Sequence, residues 1–233
     1  MVRSPPMTTI GIIGAGNIGS TVAKLAIDGG HEVVIANSRG PETLADLIEQ
    51  LGPRARAATA TEAAEAAELA VVTVPLKALA DLPAKQLAGK VVMDTLNYYP
   101  ERDGQVAALD EETTTTSEMV QAHLAESHVV KTFNNIFFKH LATMARPDSD
   151  PERTTLIIAG DEMPAKRTVA EFLDSIGYDT FDGGTLEESW RFQRDTAAYV
   201  GTYVEGDDWE HPIAADADRI RAKLAESKRY RDM

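Results

Sequence analysis

The sequence contains no cysteine. That single absence excludes disulfides, a thiolate nucleophile, cysteine-ligated zinc and iron–sulfur clusters. Nor is there an apolar run of the roughly 18 or more residues that a membrane span needs. Residues 1–6 lack the apolar core of a secretory signal, so no export signal is expected and a cytoplasmic location is. Positive charge is scarce: 23 Lys and Arg stand against 37 Asp and Glu, a formal net charge of −14. A surface of that sign repels nucleic acid and anionic lipid, so neither is an expected partner. Histidine is sparse and scattered, with His123 and His128 across a helix end, His31 opening a strand, and His140 and His211 isolated. No His-x-x-x-His pair, Tyr-x-x-x-Lys pair or Ser–His–Asp signature occurs. Neither a metal site nor a catalytic acid or base is therefore expected.

What is present begins at once. The apolar run Thr9-Ile10-Gly11-Ile12-Ile13 leads into Gly14-Ala15-Gly16-Asn17-Ile18-Gly19, and an amphipathic segment follows. Strand, glycine turn and helix in this order form a dinucleotide-binding fingerprint. Gly14 permits the tight turn, Gly16 leaves room for a pyrophosphate, and Gly19 lets the helix lie close to the strand. Free N–H groups at the helix start and the helix dipole then face the phosphates. A second strand, residues 32–36, runs into Asn37-Ser38-Arg39-Gly40-Pro41. NAD-binding chains usually carry an acid at that strand tip for the ribose hydroxyls. Here an amide, a hydroxyl and a guanidinium stand instead. Arg39 suits a 2′-phosphate through a charge-assisted fork, and Ser38 can donate to it. The expectation is NADP(H), although the same residues also suit a plain polar turn before a helix over 42–50.

The remaining chain alternates. Strands are expected over 54–59, 69–74, 91–94, 128–133, 154–160 and 178–181. Helices are expected over 62–68, in parts of 76–88 with an interruption at Pro83, over 117–126 with Ser117 as its cap, and over 164–175. This rhythm predicts an α/β fold with a doubly wound, mostly parallel sheet of the Rossmann kind. A further βαβ extension reaches residue 184, and a helical tail follows. We expect a nucleotide-binding domain over 1–184 and a tail over 185–233 that packs across the sheet or against a partner subunit as a homodimer contact. The tail's apolar positions are Trp190, Phe192, Tyr199, Val200 and Tyr203.

Ligands of such sheets bind outside the carboxyl ends of the strands. That rule selects Thr73-Val74-Pro75-Leu76, an apolar wall suited to a nicotinamide face or else a plain strand end. It also selects the clusters around Asn97 and around Asn134 and Asn135, whose amides either orient a ring carbonyl or simply form turns.

The glycine motif and the Asn-Ser-Arg-Gly-Pro tip are followed by Val72-Thr73-Val74-Pro75, Asp94-Thr95-Leu96-Asn97-Tyr98-Tyr99-Pro100 and Val129-Val130-Lys131-Thr132-Phe133-Asn134-Asn135-Ile136. Over about residues 8–184 this series resembles the NADP oxidoreductases dependent on coenzyme F420, a deazaflavin. From Trp190 onward the chain departs from the pattern. The resemblance implies direct hydride transfer between NADP(H) and F420, with alignment rather than acid–base chemistry as the protein's task. One alternative is an NADPH-dependent reductase of a carbonyl or imine, with Lys131, Tyr98 or His140 as proton donor. Another is an NADP-sensing module that turns nothing over.

Overall fold

A computed structural model describes residues 7–206 and 208–232. The leader over residues 1–6, in which no signal is expected, lies outside the described residues. The strands are β1 (Thr9–Ile13), β2 (Glu32–Ala36), β3 (Ala55–Ala57), β4 (Leu69–Val72), β5 (Val91–Asp94), β6 (His128–Lys131), β7 (Thr155–Gly160) and β8 (Asp179–Asp182). They form one eight-stranded sheet in the order β3-β2-β1-β4-β5-β6-β7-β8. Every neighbouring pair is parallel except β6 with β7. The strand order reverses beside β1, which is where ligands of open α/β sheets bind.

The apolar runs form strands because both faces of the sheet are covered. Register aligns Ile35, Ile12, Val71, Met93 and Val130 in one row, and each is fully buried. The opposite face buries Ile13, Ala70, Val72 and Val92. Helices α1 (Asn17–Asp28), α2 (Ala45–Leu51) and α3 (Ala60–Ala66) make the first crossovers. Thr59 caps α3 in a reciprocal capping box with Glu62. The helix Met163–Ser175 joins β7 to β8, so the expected βαβ extension is present, attached antiparallel to β6.

Some boundaries differ from expectation. The strand expected over 54–59 is three residues long, because Gly52 and the cap at Thr59 close in from both sides. The helix expected from Ser117 runs Thr116–His123, and Thr115 is its cap. Ser117 is instead buried, and its hydroxyl donates to Asp94 Oδ2 at 2.7 Å. Short helices at Pro100–Asp103, Ala107–Asp110 and Phe138–Thr143 went unanticipated.

The tail packs on its own chain. Phe192 and Tyr203 are fully buried, and burial of such a side chain stabilises by roughly 1.5–3 kcal/mol. Asn134 and Asn135 donate to the carbonyls of Phe192 and Ala198, and the Thr155 N–H donates to Ala215. The helix Ala217–Glu226, capped by Asp216, closes the tail.

Candidate functional site

The register that builds the core also builds the site. Ile13 stands opposite Ala36 and Val72, Val72 opposite Asp94, and Asp94 opposite Lys131. Five carboxyl ends therefore lie along one line. The next residues, Gly14, Thr73, Thr95 and Thr132, each donate an N–H to the neighbouring strand end. All the sequence segments singled out as candidates leave the sheet from this line.

Gly14 has φ +117°, open to glycine alone at little cost, and a Cβ there would lie 2.2 Å from the Thr73 carbonyl oxygen. A Cβ on Gly19 would lie 1.9 Å from the Gly14 oxygen, so only a glycine lets α1 approach so closely. Gly16, the residue before α1, is exposed, and a Cβ there would meet nothing within 4 Å. The turn is thus tight against the protein at two glycines and open at the third. The open side faces two clefts.

The first cleft, of about 510 Å³, runs from Gly14 and Gly16 to Asn37, Ser38 and Arg39. Asn37 Oδ1 accepts from the N–H groups of Arg39 and Gly40, and its amide donates to Thr43. This residue shapes the loop. Ser38 and Arg39 stand on the loop exposed, and Arg39 makes no ion pair among the described residues. Lys77 lines the same cleft, is exposed and likewise makes no ion pair, while Asp81 lies further along it. Two free cations beside an open glycine turn, in a chain of charge −14, fit a dinucleotide that carries an additional phosphate.

The second cleft, of about 590 Å³, shares Gly16, Thr73, Val74 and Pro75 with the first. Asn17 and Ile18 border it from α1, Thr95 to Asn97 from the end of β5, and Phe133 and Asn134 from the end of β6. Phe137, Phe138 and Trp209 wall its outer side, with Phe137 edge-on to Trp209 at 5.7 Å between ring centroids. Tyr99, Tyr199 and Arg102 complete it. Asp103 braces this side: it accepts from Arg102 and from the N–H groups of Tyr99 and Lys77. Burial pushes the Asp103 carboxyl up, but those hydrogen bonds outweigh it and hold the group below the usual carboxylate range. No Asp, Glu, His or Lys lines this second cleft among the described residues.

The three candidate proton donors of the alternative carbonyl or imine reductase lie elsewhere. Lys131 is fully buried, and its ammonium bonds Asp94, the Leu96 carbonyl and Thr116. Burial lowers its pKa, opposed by Asp94. It holds the loop after β5 from below and does not reach the cleft. Tyr98 turns away to Asp110 and the Val106 N–H. The His140 ring bonds the Trp209 carbonyl at 2.9 Å and so braces the cleft wall from behind.

Residues 9–98 match the model of the family described as NADP oxidoreductase, coenzyme F420-dependent. Over those residues the chain carries the pattern of this family. Metalloreductase STEAP3 of Rattus norvegicus is 30% identical over 177 residues, which make up 76% of this chain and 34% of that protein. The chain therefore spans about a third of the length of this curated relative. Among solved structures, the hypothetical protein SMa0349 of Sinorhizobium meliloti aligns with TM-score 0.74 and 29% identity over 90% of this chain and 97% of that one. A structure provisionally titled an F420-dependent NADP reductase, from Arthrobacter sp. FB24, aligns with TM-score 0.65 and 27% identity, covering 77% and 86%. In this chain the geometry assembles Gly14 to Ile18, Asn37 to Arg39, Thr73 to Pro75, Asn97 and Asn134 around the two clefts. It leaves out three candidates. Gly19 is buried where α1 packs against Gly14 and lines neither cleft. Leu76 starts a 3₁₀ turn and is buried in the core on that side of the sheet. Asn135 is fully buried and ties down the tail. Sequence reasoning missed Lys77, Arg102 and the aromatic wall. Lys77 adjoins a selected segment, but nothing in the local sequence brings Trp209 to Phe137.

Proposed function

We infer that the chain transfers a hydride between NADP(H) and a flat conjugated acceptor of the deazaflavin type, coenzyme F420. One observation carries this reading: two clefts meet at Gly16 and Thr73–Pro75, and the second is walled by aromatic rings without a carboxylate, imidazole or ammonium among the described residues. Bound NADPH would supply the hydride. The N–H groups at the start of α1 hold the pyrophosphate, and Ser38, Arg39 and Lys77 hold the 2′-phosphate. Thr73, Val74 and Pro75 back the nicotinamide. Phe137, Phe138 and Trp209 exclude water and keep the second ring in van der Waals contact. In this reading residues 1–184 grip the nucleotide and residues 185–233 finish the acceptor wall. Ring-to-ring transfer asks for alignment, which this cleft supplies.

The test is to mix the protein with NADPH and separate acceptors and follow the absorbance of the reduced nicotinamide. Oxidation with 8-hydroxy-5-deazariboflavin, and not with a panel of carbonyls and imines, is the expected result. Oxidation by the carbonyl or imine panel alone would replace the deazaflavin by a small-molecule substrate. Tight NADPH binding without oxidation by any acceptor would make the chain a sensor.

A further inference from the structure

Two tyrosines stand on the wall of the second cleft in an arrangement that the hydride reading leaves unused. The Tyr99 and Tyr199 hydroxyls lie 2.8 Å apart. Tyr99 follows β5, and Tyr199 comes from the tail a hundred residues later. Two hydroxyls carry two hydrogens, and the bond between them uses one. Neither oxygen has another protein partner among the described residues, so the second hydrogen has no acceptor among them. Two guanidiniums lie over the Tyr99 ring, Arg102 at 4.6 Å and Arg194 at 4.5 Å from its centroid. Asp103 fixes Arg102, while Glu101 and Asp195 fix Arg194. Burial, reinforced by the hydrogen bond to Tyr99, pushes the Tyr199 hydroxyl well up and keeps it protonated.

We propose that Tyr99 is the proton donor to the acceptor, with Tyr199 as the residue that positions it. The proposal rests on the hydride reading and narrows the acceptor class. Such an acceptor carries a C=N or C=O bond, conjugated with the carbon that receives the hydride, whose nitrogen or oxygen gains an electron pair. In the step, the acceptor carbon forms a C–H bond with the hydride from the dihydronicotinamide, which is oxidised. The π pair of the acceptor moves to its nitrogen or oxygen, and that atom takes the Tyr99 hydroxyl proton. The phenolate oxygen left behind accepts the Tyr199 hydrogen bond, with two cations over its ring. Water entering the open cleft returns the proton. The net change is NADPH, acceptor and one proton giving NADP⁺ and reduced acceptor. The ring pair orients the acceptor as well, since a free phenolic O–H in an aromatic-walled cleft is a polar handle that carries a mobile proton.

The test compares the wild-type chain with Tyr99→Phe and Tyr199→Phe, using 8-hydroxy-5-deazariboflavin and FMN as probes. Single-turnover NADPH oxidation is followed in H₂O and D₂O, and probe affinity is measured separately by fluorescence without nucleotide. Tyr99→Phe is expected to slow hydride transfer about tenfold or more, to abolish the solvent isotope effect and to weaken probe binding severalfold, with NADPH affinity within twofold of wild type. Tyr199→Phe is expected to give an intermediate rate and a reduced isotope effect. Wild-type rate, isotope effect and probe affinity in folded Tyr99→Phe would overturn the donor assignment alone. Failure of the wild-type chain to oxidise NADPH with either probe would overturn the hydride reading and the donor with it.

Discussion

Arg39→Ala removes the guanidinium on which the choice of nucleotide is argued to rest. The side chain is exposed and forms no ion pair among the described residues, so its loss should leave the fold undisturbed. A hydrogen bond to a charged group contributes roughly 1.5–3 kcal/mol. Lys77 borders the same cleft and retains part of the local positive potential, which places the expected loss near the lower end, about 1.5–2 kcal/mol. That is roughly a ten- to thirtyfold rise in Kd for NADP⁺. NAD⁺ lacks the 2′-phosphate, so its Kd should stay within about twofold. Because the contact lies at the surface, the difference should shrink as salt rises above about 0.15 M, where the screening length falls to roughly 8 Å or less. Calorimetric titration of both nucleotides into both proteins, at two salt concentrations, measures all of this. Equal weakening of NADP⁺ and NAD⁺ would refute the reasoning, because a group that reads a phosphate cannot affect a ligand without one to the same degree.

Gly16→Val should abolish binding of both nucleotides while the melting temperature of the free protein hardly moves, since nothing lies within 4 Å of the added Cβ. Gly19→Ala should instead lower the melting temperature, because its Cβ would strike the Gly14 carbonyl. Lys131→Met strands the buried Asp94 carboxylate with only Ser117 and the Leu96 N–H as partners. Urea unfolding should show a loss of about 3 kcal/mol or more, and an unchanged midpoint would contradict a structural pair. His31 is buried against Ser175, and burial, aided by Arg54, lowers its pKa below 6.5. The unfolded chain then binds the proton first, so this contribution is complete above pH 6.5 and is lost as pH falls below it. His31→Gln should flatten the stability profile below about pH 6.5, read from urea midpoints.

The strands were legible because a parallel sheet covered on both faces asks for continuous apolar runs, as at Ala70-Val71-Val72. The glycine turn was legible because its constraints are local: Gly14 and Gly19 sit against the neighbouring backbone. The Ser38–Arg39 tip was legible because it immediately follows β2. Elsewhere local signals misled. Ser117 has the chemistry of a helix cap, yet the buried Asp94 competes for its hydroxyl and Thr115 takes the cap. Lys131 has the position of a solvated strand-end charge, yet the helix Thr116–His123 covers it. The tail was least legible. It is built largely from 3₁₀ turns and irregular backbone with no period, and side-chain amides of distant residues fasten it through its carbonyls. The acceptor wall depends on that fastening, so Tyr199 and Trp209 could not be placed from their neighbours.

The septum of Gly16 and Thr73–Pro75 between the two clefts has a consequence for redesign. Exchanging one nucleotide for another is a task for the few residues at the tip of β2. Retargeting the acceptor is a task for the tail and the aromatic residues it meets. Edits of the two kinds touch different stretches of chain and can be made separately, whereas any change to the septum alters both chambers at once.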